Sequence, residues 1–397
     1  MRRGACSGIA IVGAAAYAAA LLVFGLPGLG GANHTVSVAT EQEYRDALTD
    51  LSAGDTAPHT INVTADITID DGTDPTYSGT QPLTINGNGH TLDATNSSRV
   101  LNHNSAAALT IEGLTVTAGA AAGGNGGGIL ALGSVTVTNG TVTGNTSDGG
   151  GGILALGSVT VTNSTVSGNM ARFSGGGILA GGSVTVTNGT VSSNTATQGG
   201  GIQASSGSVT VTNSTVTGNT ASGGGGGIQA FGLLQLIYAT VVENSAPLGA
   251  NVRGDGTGLT SFGSVVALPQ GGGANCTMIG GTTSNGYNYD DDGSCGFGGG
   301  TGDTSDGPDP QLGPLASNGG PTRTRLPLVG SPLIDAIPED DCDEAVTDDQ
   351  RDVDRPQDGD DDGTLACDIG AVEVIPGENQ PGAGPAEPVA GDPSFTG

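Results

Sequence analysis

The chain has no tryptophan and no lysine, and its aromatic content is 3% over 397 residues. An ordinary globular interior of this length uses more aromatic surface, so small aliphatic side chains must fill the core. Without lysine, the ten basic residues are all arginine against 39 acids, giving a formal net charge of −29. Such a polyanion disfavours nucleic acid and anionic membrane surfaces as partners. Charge is also scarce locally. Residues from about 126 to 245 carry almost none, whereas Met278 to Gln380 holds most of the aspartates. Solubility in a salty medium and local cation sites are two readings of that acidity, and the clustering favours the second for the C-terminal part.

Cysteine is sparse too. Cys6 falls in an N-terminal apolar stretch, leaving Cys276, Cys295, Cys342 and Cys367. An even number in an exported chain implies disulfides, with three pairings open. Pairing near neighbours, Cys276 with Cys295 and Cys342 with Cys367, closes short loops, each contributing roughly 3 kcal/mol. No CxxC or Cys/His cluster exists, which argues against a zinc site.

What the chain has in excess is glycine, 75 residues, and it is ordered by repetition. "GGGILALGSVTVTNSTVSGN" (150–169) recurs with small changes. Ile129, Ile153, Ile178, Ile202 and Ile228 fall 24 to 26 residues apart, and Val135, Val159, Val184, Val209 and Leu234 keep the same step. A period in the twenties belongs to solenoids. Within each unit the valines of "SVTVTN" alternate with threonines, the period of a strand, and Gly and Asn mark turns.

Three short strands per rung cannot bury their apolar side alone, but rungs stacked at ~4.8 Å can. Asn145, Asn169, Asn194, Asn219 and Asn244 are placed to bond lengthwise as a ladder. Asn139, Asn163, Asn188 and Asn213 suggest a second one. Earlier rungs show in "HTINVTADITI" (59–69), "LTINGNGHTLD" (83–93) and "LTIEGLTVTAG" (109–119). Ahead of them Thr40 and Glu43 form a capping box, Tyr44, Ala47, Leu48 and Leu51 follow at helical spacing, and Gly54 ends the helix. That helix, over 40–54, is placed to cover the first rung.

The expected fold is all-β: a single right-handed parallel β-helix of about nine rungs over 55–270. An acidic module with two disulfides (271–375) should cover the far end, and a Pro/Gly-rich tail runs over 376–397. Arg2, Arg3 and the apolar run Ile9 to Phe24 read as an export signal ending near Gly30 and Ala32 (1–32), with an uncleaved signal anchor as the alternative. Either way the body is expected outside the cytoplasm, as a monomer at the cell surface or in the medium.

The rungs resemble right-handed β-helices of the pectin-lyase-like superfold. "GGGI" paired with "VxxN" is similar to the repeats of chlamydial polymorphic outer-membrane proteins. "NGYNYDDDGSC" (285–295), "DPQLGPLASNGGPTRT" (309–324), "GSPLIDA" (330–336) and "DDQRDVDRPQDGDDDGTLACDIGAVE" (348–373) resemble the choice-of-anchor Q domain of exported β-helix proteins. That likeness implies fold and compartment more than activity, and the tail shows no sorting motif.

The superfold includes polysaccharide lyases and glycoside hydrolases, which need grouped carboxylates. The regular rungs offer only Thr136, Thr138, Thr160, Thr162, Thr185 and Thr187, with Asp148, Arg172 and Glu243 in turns or singly. The early rungs hold Asp66, Asp70, Asp71, His90, Asp93, Arg99 and Glu112, yet alternation sends Asp93 and Glu112 out of different faces. A non-catalytic structural or adhesive protein contacting a cell-envelope glycan or surface protein is therefore the leading reading. Asp358, Asp360 and Asp362, spaced D-x-D-x-D-G with Gly363 for the turn, suit a hard cation such as calcium in a structural role. A threonine array of ice-binding type is a further alternative, and Leu130, Leu154 and Leu179 make an apolar stripe either exposed or packed under a loop.

Overall fold

The computed structural model describes residues 34–53 and 56–378. The expected export signal, Gly54 and the tail beyond 378 lie outside them.

Among the described residues the chain coils as one β-solenoid whose strands pair in parallel with their copies on the next turn. Sheet I has eleven strands, among them Val135–Thr138, Val159–Thr162, Val184–Thr187 and Val209–Thr212. Sheet II, also eleven-stranded, includes Thr141–Thr143, Thr165–Ser167, Thr190–Ser192 and Thr215–Thr217. Sheet III has nine strands, among them Ile129–Ala131, Ile153–Ala155 and Ile178–Ala180. In the central turns the third side is itself divided. A five-stranded sheet IV (Ala120–Asn125, Thr146–Gly149, Met170–Ser174, Thr195–Gln198, Thr220–Gly224) precedes the glycine corner that leads into sheet III.

Register follows the repeat. Ile129 pairs with Ile153, then Ile178, Ile202 and Ile228, and all five are fully buried. The column Val135, Val159, Val184, Val209, Leu234 is likewise dry. Burying one such side chain stabilises by roughly 1.5–3 kcal/mol, so these columns are the main cohesive element.

The corners explain the glycines. A Cβ on Gly152 would meet the Gly177 carbonyl oxygen at 2.7 Å and the Asn169 side chain at 3.0 Å. Only glycine lets successive corners stack with an asparagine folded beneath. Asn169 Nδ2 donates to Asn194 Oδ1 at 3.0 Å and to the Val142 carbonyl at 2.9 Å, while its backbone N–H reaches the same Asn194 oxygen. The pattern repeats from Asn145 to Asn244 and continues through Asn251 and Asn275 to Asp290. Burial pushes the terminal Asp290 carboxyl up to about 6.

The second asparagine file does something else. Asn139, Asn163, Asn188 and Asn213 have φ of 43–51°, the left-handed region that asparagine tolerates. The side-chain oxygens of Asn163, Asn188 and Asn213 have no partner, so they form no ladder. The neighbouring file bonds lengthwise instead, on alternate rungs. The Gly140, Gly189 and Ala239 N–H groups donate to Ser164, Ser214 and Ser264 hydroxyls at 2.9–3.0 Å.

Helix α1 (Glu41–Leu51) starts with its capping box formed: Glu43 N–H donates to Thr40 Oγ1, and Ala39 N–H to Glu43 Oε2 at 2.8 Å. Tyr44, Ala47, Leu48 and Leu51 are buried against the first turns. The helix is not ahead of the coil. His34–Val38 already pairs with His59–Val63 as the edge strand of sheet I.

The far end differs more from expectation. Cys276–Met278, Thr282–Ser284, Tyr289–Asp290 and Thr304–Ser305 continue sheets III, I and II past residue 270. Cys295, joined to Cys276, and Phe297 close the apolar column there. The rest of the acidic segment does not cover the end. Residues 309–378 run back along sheet II as a strap, with Cys342 joined to Cys367. The strap meets turns as early as Asn188, whose carbonyl accepts from Thr322 Oγ1 at 3.1 Å.

Candidate functional site

Two places concentrate polar chemistry: the strap on sheet II and the open face of sheet IV.

The strap is held by bonds that each replace water. Thr215 Oγ1 donates to Gln350 Oε1 at 2.7 Å, and Gln350 Nε2 donates to Thr190 Oγ1 and Thr322 Oγ1. Thr190 donates to the Arg323 carbonyl at 2.5 Å and Asn213 to the Asp348 carbonyl at 2.5 Å. Arg325 pairs with Glu243. Arg355 lies over the Tyr238 ring at 4.2 Å and donates to Glu373 Oε2 at 2.5 Å. Tyr238 stands where earlier turns have asparagine, and its hydroxyl accepts from Asp343 N–H. Inside the strap, Arg351 bridges Asp349 at 2.9 Å and Glu378 at 2.6 Å. Burial pushes the Glu373 carboxyl up to about 7, opposed by the Arg355 charge. Asp368 is driven well above the carboxylate range by burial and by Glu373. These charges serve docking, because each is paired or bonded to backbone and all but the partly exposed Glu243 are enclosed.

Asp335, Asp358 and Asp360 bring carboxylate oxygens within 4.8 Å of one another. Asp362 is not in that group; its carboxylate accepts from Thr364 N–H at 2.8 Å. Backbone N–H groups of Gly359, Asp360, Asp362 and Gly363 already bond to Asp335 and Asp358. Oxygen donors are the kind a hard cation takes, but three carboxylates offering one oxygen each fall short of the roughly six to eight that calcium needs.

The early carboxylates do not converge. Asp93 lies in sheet II and Glu112 in sheet I. Asp66 meets His90 at 3.3 Å, Asp71 pairs with Arg45, and Asp74 pairs with Arg99. Asp70 has no ion pair among the described residues. The outward threonines of sheet I are half-buried. In sheet II the same kind of rank is half-buried at Thr141 and Thr165 but sealed at Thr190, Thr215 and Thr240. Leu154 is buried and Leu130 and Leu179 are half-buried, so that stripe is not an open patch.

Sheet IV is the side that sequence reasoning missed. A shallow trough of about 540 Å³ crosses all five of its strands. Ala121, Ser147, Ala171, Ala196 and Ala221 are its buried small residues, and Thr146, Met170, Thr195 and Thr220 form an exposed row beside them. Asp148 and Arg172, read from sequence as isolated, sit here on adjacent strands. Neither has an ion pair or side-chain hydrogen bond among the described residues. Arg172 lies over the Phe173 ring at 4.8 Å, and Phe173 is 52% exposed. All four strand pairings of sheet IV carry a register shift, whereas the central pairings of sheets I to III do not. Most of the variation in repeat length is absorbed here. The signal was present in the uneven spacing between each ladder asparagine and the next isoleucine.

The first half of this coil is similar to a known family. A family model described as "Putative pectate lyase-like adhesive domain" matches residues 35–172. It is a parallel β-helix protein. The match runs from the first strand of sheet I to Arg172 in the trough. No curated protein and no solved structure matches the chain. Among the described residues, no helix is long and apolar enough to cross a membrane.

Proposed function

We propose that the chain is an exported adhesive protein, a rigid β-helix that contacts a glycan or another surface protein through the side formed by sheet IV and performs no chemistry on it. The observation that carries this reading is the contrast between sides. Interior positions repeat from rung to rung, while sheet IV absorbs most of the variation in repeat length and presents Asp148 and Arg172 without ion pairs among the described residues. A side released from the stacking constraint is where a repeat protein can acquire specificity. Adhesion agrees with the family match over 35–172. The disulfides fit an oxidising compartment. The likeness of 309–373 to choice-of-anchor Q modules supports a surface or secreted location.

Asp93 and Glu112, the pair a lyase or hydrolase on the early rungs would use, lie in different sheets and do not support that reading. Calcium at Asp335, Asp358 and Asp360 belongs to the same proposal as a loop brace, and should raise the melting temperature at millimolar concentration. The test is to fractionate cells and to incubate purified protein with cell-envelope material and polysaccharides. Surface or medium localisation with retention on envelope material is expected. Detection only in the cytosol, or release of unsaturated or reducing ends, would overturn it.

A further inference from the structure

The trough itself narrows the ligand. Asp148 and Arg172 stand in register-adjacent strands, with Ser147 paired to Ala171, yet do not join each other. A carboxylate supplies only acceptors and a guanidinium only donors. A ligand satisfying both on the same stretch must present donors and acceptors together, and a hydroxyl supplies both in one uncharged group. The exposed hydroxyls of Thr195, Thr197 and Thr220 extend the same requirement along the trough. A polyanion would face Asp148 and a net charge of −29, whereas a polycation, drawn by that charge, would leave the Arg172 donors unsatisfied and repelled at the trough. Met170 lines the trough and Phe173 lies just beyond its lining with Arg172 over one ring face, each 52% exposed and offering apolar surface beside the charges. The five strands extend about 19 Å along the coil at the ~4.8 Å rung spacing, so the ligand is long and lies across the strands.

We propose that this trough binds an uncharged linear glycan chain lying along the solenoid axis. In this arrangement sugar hydroxyls bond to Asp148 and Arg172 and a sugar ring packs on Phe173. The inference rests on the adhesive reading and gives its site and ligand class.

The test uses the full exported chain with soluble neutral β-glucan and mannan oligomers, polygalacturonate as the anionic arm and chitosan as the cationic one. Binding to at least one neutral oligomer is expected, unchanged between low and high salt. Phe173→Ala and Asp148→Asn should each weaken it by about tenfold or more. Neither the Phe173 nor the Asp148 side chain has a hydrogen bond or ion pair among the described residues, so melting should be unaffected, and Thr195→Arg, which fills the trough, should abolish binding. Preferential, salt-sensitive binding of polygalacturonate or chitosan overturns the proposal. So does neutral-oligomer binding that survives all these variants. Retention on envelope material without binding of any neutral oligomer also defeats the glycan assignment, while leaving adhesion standing.

Discussion

Thr165 and Thr215 occupy the same column of sheet II and pair through Thr190 between them. Thr165 is half-buried on an open face, whereas Thr215 is fully buried under the strap. Their local sequences, "NSTV" and "NSTV", are identical. What separates them is a segment more than a hundred residues further on: Gln350 reaches Thr215 across a separation of 135. In a repeat protein, stacking decides which side a residue faces, but the partner of that side is decided elsewhere in the chain.

The comparison breaks most severely if the strap is released. Arg355 joins three strap carbonyl and carboxylate groups and the Tyr238 ring. Arg355→Ala leaves the buried Glu373 carboxylate without its cation, a loss of about 3–5 kcal/mol. The expected outcome is proteolysis within 309–378 while the coil stays intact, with amide exchange at Thr190 and Thr215 rising toward that at Thr141 and Thr165. Unchanged protection would mean that the strap is held without this network.

A smaller effect comes from protons. Folding raises the Glu373 and Asp368 carboxyls above their unfolded values, so the folded strap holds protons that the unfolded chain releases. The Glu373 contribution is complete below about pH 4.5 and fades as pH rises through about 7, and Asp368 acts in the same direction. Asp290 acts in the same direction through about 6. The melting temperature should therefore be lower at pH 8 than at pH 5, and Asp368→Asn should flatten the slope. Calorimetry giving a higher value at pH 8 would mean that these carboxyls do not outweigh His103, which burial holds down to about 4 and which acts in the opposite direction.

The dry columns and the Asn145 to Asn244 file were legible because stacking repeats the same residue at the same step. Asn163 misled because asparagine serves two purposes, lengthwise bonding and left-handed backbone, and its letter does not say which. Tyr238 interrupts that file, and its reason, Arg355 above the ring, lies far along the sequence. The strap's path was hidden by the same distance. Asp148 and Arg172 were visible as lone charges, but the register shift between their strands concealed that they share a face. Chemistry written once per chain is harder to read than packing written in every rung.

The finest test of the comparison changes one hydroxyl at each end of it. Valine matches threonine in shape and favours strands, so Thr165→Val on the open face should shift stability by no more than about 0.5 kcal/mol. Thr215→Val removes the donor to Gln350 Oε1 inside a sealed contact, at a cost of about 1–3 kcal/mol for the orphaned acceptor. The same substitution in the same column should therefore give a measurable loss in denaturant midpoint at one site and almost none at the other. Equal effects would mean that the strap adds nothing to the threonines it covers, and that their burial is passive.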